Sequence, residues 1–134
     1  KAPVRRKIRD DIWFKLLGNT TFNPVSVLTG ATLGAMGHDP ATRGLIRSMV
    51  IEAEAVGCEL GVQFAMDIDK RIDGGAAVGD HKTSMLQDFE AGRPLELDAL
   101  VGVVSELGRM VGVPTPNIDL VLGLVQLREQ SGQS

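Results

Sequence analysis

The chain has 134 residues, enough for one domain with a substantial core, and 43% of them are hydrophobic. Its formal charge of −3 at pH 7 excludes the basic excess that a nucleic-acid or anionic-membrane footprint demands. Cys58 is the single cysteine, which excludes a disulfide framework and a multi-cysteine metal site and makes the reducing cytoplasm the expected compartment.

Aromatic residues are scarce, so a core must be built from Leu, Val, Ile, Ala and Met, a composition that suits packed helices better than a β-sandwich. The apolar spacing predicts a first helix from residue 4 past residue 23, with Pro24 kinking it or ending its first part. Arg5, Arg6, Lys7 and Arg9 read as a solvated face of that helix. GATLGAMG, residues 30–37, has glycines at the wrong spacing for a dinucleotide-phosphate turn and no strand before it, so it reads as a loop that lets helices approach. Asp39 and Pro40 then make a cap-plus-proline start. Leu45, Ile46, Met49, Val50, Ala53 and Val56 recur at helical spacing until Gly57, where the helix is expected to close.

A short extended entry and a helix over residues 64–73 are expected next, followed by a helix over 82–91 capped by Asp80 and a long one over 95–111. Thr115 and Pro116 start the last helix, whose apolar stripe is Ile118, Val121, Leu122 and Val125. No segment alternates as a strand does, and no run is long and apolar enough to span a bilayer. The expectation is an all-α domain of about six helices. His38 and His81 lack partners at metal-ligand spacing, and Cys58 reads as a small buried hydrophobe.

Lys15 interrupts an apolar run, DDIWFKLL, whose helix is apolar nearly all round and is therefore expected to be enclosed by others. Lys15, Asn19 and Asn23 are four apart, so each lies about 40° round the helix from the last, on the side of Ile8, Ile12 and Leu16. Burying such groups without partners costs several kcal/mol, roughly 2–7 per group, so something polar should face them. The residues alone leave a second reading open. The lysine can snorkel past its neighbours, and Asn23 before Pro24 is an ordinary bend. Farther along, Ser84 lies near the start of one predicted helix and Glu96 near the start of the next, where exposed amides favour anions.

KTSMLQDFEAGRPLELDALVGVVSELGRMVGVPTPNIDLV, residues 82–121, resembles the C-terminal helical domain of ketopantoate reductases, the 2-dehydropantoate 2-reductases. WFKLLGNTTFNPVSVLTG, residues 13–30, looks like that family's Lys, Asn, Asn-Pro helix, and the likeness runs over residues 4–127. The resemblance implies an all-α fold of the ketopantoate reductase and 6-phosphogluconate dehydrogenase C-terminal-like type. It implies that Lys15 is the catalytic lysine, polarising the 2-keto oxygen and acting as general acid while hydride arrives from NADPH. Asn19 and Asn23 then match substrate-contacting asparagines, Ser84 the serine that binds the substrate carboxylate, and Glu96 the acid that engages the substrate hydroxyl and helps orient the lysine.

On that resemblance residues 1–134 are one helical substrate-binding and catalytic domain, and the NADPH-binding Rossmann domain is an N-terminal unit outside this chain. The expected function is the C-terminal part of an oxidoreductase that makes pantoate from 2-dehydropantoate, toward pantothenate and coenzyme A, and is inactive alone. The expected partners are a small 2-oxo acid, the Rossmann domain of the same polypeptide and, through broad apolar helix surfaces, a second copy in a homodimer. No nucleic acid, membrane or metal is expected. Two alternatives stand beside it: a reductase of another 2-oxo acid, and a helical association module that keeps the fold without activity.

Overall fold

The structure, a computed structural model, describes residues 12–64 and 67–132. The basic cluster at Arg5, Arg6, Lys7 and Arg9, together with Ile8 and Met66, lies outside the described residues. Helix α1 covers 12–20, and it is followed by α2 (Phe22–Thr29), α3 (Leu33–His38), α4 (Pro40–Glu59) and α5 (Ile68–Ala76). Then come α6 (Ser84–Glu90), a π-helical turn at Asp98–Gly102 that runs directly into α7 (Val103–Val111), and α8 (Pro116–Ser131). No strand occurs among the described residues, so the all-α expectation holds.

The break between α1 and α2 falls at Thr21, three residues before the proline that causes it. Pro24 has no amide proton for the Thr20 carbonyl, and its ring crowds that carbonyl, so the ladder is interrupted one turn upstream. At the break the Thr21 hydroxyl donates to the Leu17 carbonyl at 2.6 Å, beside the Thr21 amide, which reaches the same carbonyl at 3.1 Å. Asp39 caps α4 as its sequence suggests, accepting from the Thr42 amide at 2.9 Å and the Thr42 hydroxyl at 2.6 Å.

Helix α4 supplies the centre of the core, burying Ile46, Met49, Val50, Ala53 and Val56 completely or almost so. It packs on α3, α5, α7 and α8, while α2 packs on α3, α6 and α8. Full burial of each such aliphatic side chain stabilises by about 1.5–3 kcal/mol, which makes this helix the organiser of the bundle.

Several sequence expectations need correction. α4 does not close at Gly57 but continues to Glu59, because Gly57 is a packing position rather than a stop. A Cβ there would lie 2.7 Å from the Phe64 ring. With the helix prolonged, its register turns Cys58 outward, so the cysteine is exposed instead of buried. GATLGAMG is not wholly a loop: Thr32 accepts from the Ala35 amide at 3.2 Å and starts α3. Its glycines do permit close approach, since a Cβ on Gly37 would lie 2.3 Å from the Ala76 Cβ on α5. Helix α5 begins after Asp67 rather than at Phe64, because the Asp67 carboxylate takes the Asp69 and Lys70 amides at 3.1 and 3.4 Å. Thr83, not Asp80, caps α6.

Candidate functional site

Helix α1 presents the first group. Trp13, Leu17 and Thr20 recur at i, i+4 and i+7 and face the core, with Trp13 edge-on to Phe64 at 6.4 Å and 88°. Lys15 lies two residues past Trp13, about 200° round the helix, and is exposed. The expectation that this helix is enclosed on all sides is overturned. Its other side is open in this chain, with Ile12 55% and Phe14 45% exposed beside the lysine. Among the described residues no hydrogen bond or ion pair joins Lys15 to Glu96 or Ser84.

Asn19 and Asn23 are half-buried, and the structure joins them: the Asn23 side-chain amide donates to the Asn19 side-chain oxygen at 3.0 Å. That bond fixes one side chain against the other across the helix break. Among the described residues it leaves the Asn19 side-chain amide protons and the Asn23 side-chain oxygen without a partner, open to a ligand.

Ser84 is the first residue of α6 and exposed, as its position in the sequence suggested. The preceding residue, Thr83, is buried and accepts from the Leu86 amide at 3.0 Å. Thr83 also meets the hydroxyl of Ser26 on α2 at 2.6 Å, and Ser26 donates to the Asn23 carbonyl at 2.6 Å. The segments bearing Ser84 and Asn23 are thereby tied together. Neither hydroxyl stood out in the sequence; the only local signal was a threonine immediately before the apolar run of α6.

Glu96 is exposed and is not in a helix, contrary to the expected start at residue 95. Its φ of 56° makes it the one described non-glycine residue in the left-handed region. Its carbonyl accepts from the Leu100 amide at 3.0 Å, an α-type bond that leads into the π-helical turn, a feature often found at functional sites. The Leu100 carbonyl in turn accepts from the buried Thr20 hydroxyl at 3.4 Å, which links this turn to α1. A left-handed non-glycine residue costs roughly 1–2 kcal/mol. Glu96→Gly is therefore expected to leave the chain equally or up to about 1 kcal/mol more stable in urea, whereas glycine within a helix would cost about that much. The sign of the midpoint shift decides between the two conformations.

Two other polar groupings lie apart from these residues. An open cleft of about 600 Å³ between α7 and α8 is lined by Asp98, Ser105, Arg109 and Asp119, and by none of the five sequence candidates. Three of its polar groups are joined: Arg109 donates to the Ser105 hydroxyl, which donates to Asp119. Arg71 is ion-paired to Glu54 at 3.4 Å and lies over the Phe14 ring at 4.6 Å. Burial pushes the Glu54 carboxyl above its ordinary value, and the Arg71 charge opposes that. No group of His, Cys, Asp or Glu among the described residues could hold a metal, and no described helix is long and apolar enough to cross a membrane.

The fold and these groups define a class: a helical domain whose α1–α2 junction offers an ammonium and amide donors, with a hydroxyl and a carboxylate on segments tied to it. Residues 7–129 match the family described as the ketopantoate reductase PanE/ApbA C-terminal domain. A 2-dehydropantoate 2-reductase of Mesorhizobium japonicum is 59% identical over 126 residues, which cover 94% of this chain and 39% of that protein. A crystal structure from Ralstonia solanacearum MolK2, assigned as a ketopantoate reductase, superposes with a TM-score of 0.85 at 48% identity, over 92% of this chain and 37% of the other. A ternary structure of D-mandelate dehydrogenase with NADH and anilino(oxo)acetate superposes with a TM-score of 0.80 at 25% identity, over 90% and 52%. The chain belongs to the ketopantoate reductase C-terminal domain family. It spans about two-fifths of the length of the curated relative it matches at 59% identity.

Proposed function

We propose that this chain is the substrate-binding and acid-supplying domain of an NADPH-dependent 2-dehydropantoate 2-reductase, acting in the cytoplasm toward pantothenate and coenzyme A. The observation that carries the reading is the side-by-side Asn19 and Asn23 amides, one helical turn beyond Lys15, in a chain 59% identical to a 2-dehydropantoate 2-reductase. The nicotinamide supplies hydride to the keto carbon, and a Rossmann domain of the same polypeptide holds most of it. No glycine turn of phosphate-binding type occurs in the described residues.

The residues of this chain do the rest. Lys15 donates a hydrogen bond to the 2-keto oxygen, opposes the negative charge that grows there and gives up its proton to form the hydroxyl. Asn19 and Asn23 hold the substrate beside it. Ser84 binds the substrate carboxylate at the start of α6, and Glu96 takes the substrate hydroxyl and helps aim the lysine. The exposed side of α1 supports this division of labour, because a cleft completed by a second domain needs an uncovered face on the first. The exposed Leu120, Leu124 and Leu127 of α8 support self-association as well.

A second reading, reduction of another 2-oxo acid, is favoured by the likeness to D-mandelate dehydrogenase bound to anilino(oxo)acetate. The full-length protein should oxidise NADPH with 2-dehydropantoate faster than with other 2-oxo acids, and the isolated chain should neither bind NADPH tightly nor turn over. Faster turnover of another acid selects the second reading. Silence with every acid leaves the helical association module.

A further inference from the structure

We infer that Ser26 and Thr83 are positioning residues that fix the distance between the two substrate-holding segments, α2 with Asn23 and the start of α6 with Ser84. The inference rests on the proposed reductase function and adds to it two residues that never touch substrate.

Ser26 is fully buried and Thr83 is 5% exposed, so neither hydroxyl reaches a ligand and neither can turn to water for a partner. Ser26 has one hydroxyl hydrogen, and it goes to the Asn23 carbonyl at 2.6 Å. The 2.6 Å contact between the two hydroxyls must therefore be donated by Thr83. Thr83 in turn accepts from the Leu86 amide at 3.0 Å. One direction results: Leu86 amide to Thr83, Thr83 to Ser26, Ser26 to the Asn23 carbonyl. The Asn23 side chain, a separate group from that backbone carbonyl, donates to the Asn19 side-chain oxygen at 3.0 Å, one helical turn from Lys15.

A chain of hydrogen bonds that all point one way is mutually strengthening, and in a buried setting each bond is stiffer than it would be in water. It joins two segments where substrate is proposed to bind. Ser84 follows Thr83 directly, so fixing Thr83 fixes the hydroxyl that takes the carboxylate. Asn23 carries the amide that meets the other end of the 2-oxo acid group. A carboxylate and its adjacent keto group are a rigid unit, and a displacement of about 1 Å between their binding groups can cost 100-fold in rate. The α2 and α6 helices pack directly on one another, and among the described residues this hydroxyl pair, 57 residues apart in the chain, is the one side-chain hydrogen bond that sets their register.

The test uses the full-length reductase with 2-dehydropantoate and NADPH. Ser26→Ala removes the tie while leaving the Thr83 cap on Leu86, and is expected to raise the KM for the 2-oxo acid roughly tenfold, leaving the KM for NADPH unchanged. Thr83→Val should do the same, and Thr83→Ser, which keeps the hydroxyl, should stay within about threefold of wild type. The Ser26→Ala, Thr83→Val double variant should be no worse in KM than the worse single variant, because both break one interaction. Melting curves confirm that each variant is folded. Should Ser26→Ala not fold, the Thr83→Val and Thr83→Ser comparison carries the test alone. A lowered melting temperature with an unaltered KM, or single effects that add in the double variant, would overturn the positioning role while leaving the function intact. A wild-type enzyme that turns over no 2-oxo acid would overturn both, and is distinguished by its silence before any substitution.

Discussion

Lys15→Ala in the full-length protein is expected to lower kcat by about 10²–10⁴-fold, the contribution typical of a positioned general acid. Two features make this a clean experiment. The lysine is exposed and has no hydrogen bond or ion pair among the described residues, so its truncation should change stability by no more than about 0.5 kcal/mol. Loss of turnover without loss of folding then isolates the chemical role. Lys15→Arg separates charge from proton transfer. The guanidinium keeps the positive charge that attracts an anionic 2-oxo acid, but it does not give up a proton near neutral pH. Binding of the acid should therefore survive in Lys15→Arg while kcat stays low. If Lys15→Ala turns over 2-dehydropantoate at the wild-type rate, the acid is another group and the proposed mechanism is wrong.

The sequence made some elements readable and hid others for a definite reason. The start of α4 was legible because every part of it is local: Asp39 caps and Pro40 occupies the first helical position within four residues. The stripe Ile46, Met49, Val50, Ala53 was legible because burial there follows the helical period. Gly57 misled because glycine serves two purposes, as a helix stop and as room for a neighbour, and only the Phe64 ring decides which. Glu96 misled likewise. Its place after Pro94 suggests a first helical turn, while its φ is 56° and the helix begins only beyond it, next to a π-helical turn whose Leu100 carbonyl is held by Thr20 some 80 residues away. For the candidate site, the residue types and the helical spacing of Lys15, Asn19 and Asn23 were visible, and the contact between the two asparagines follows from that spacing. The enclosure of Lys15 was not visible, because a period of apolar residues says which faces can be buried and cannot say which partner covers each face.

Glu52 is the clearest instance of a contact that spacing along the chain conceals, and its removal is expected to carry a large stability cost. Thr115 and Pro116 mark the start of α8, yet the Thr115 hydroxyl donates to Asp119 at 2.9 Å instead of capping the helix. The cap comes from α4. Glu52 accepts from the Asn117 amide at 2.9 Å, the Asn117 side chain at 2.7 Å and the Ile118 amide at 3.0 Å, which places a carboxylate on the free amides at the positive end of the helix. Glu52→Ala is expected to destabilise the chain by about 2–3 kcal/mol, since it deletes charge-assisted bonds and leaves partly buried donors unmatched. Glu52→Gln keeps one acceptor oxygen and should cost less, about 1 kcal/mol. Urea unfolding checks both through the midpoint at an unchanged slope. A loss of less than about 0.5 kcal/mol in Glu52→Ala would mean that water replaces the carboxylate and that burial of Ile118, Val121 and Val125 alone seats α8 on the core.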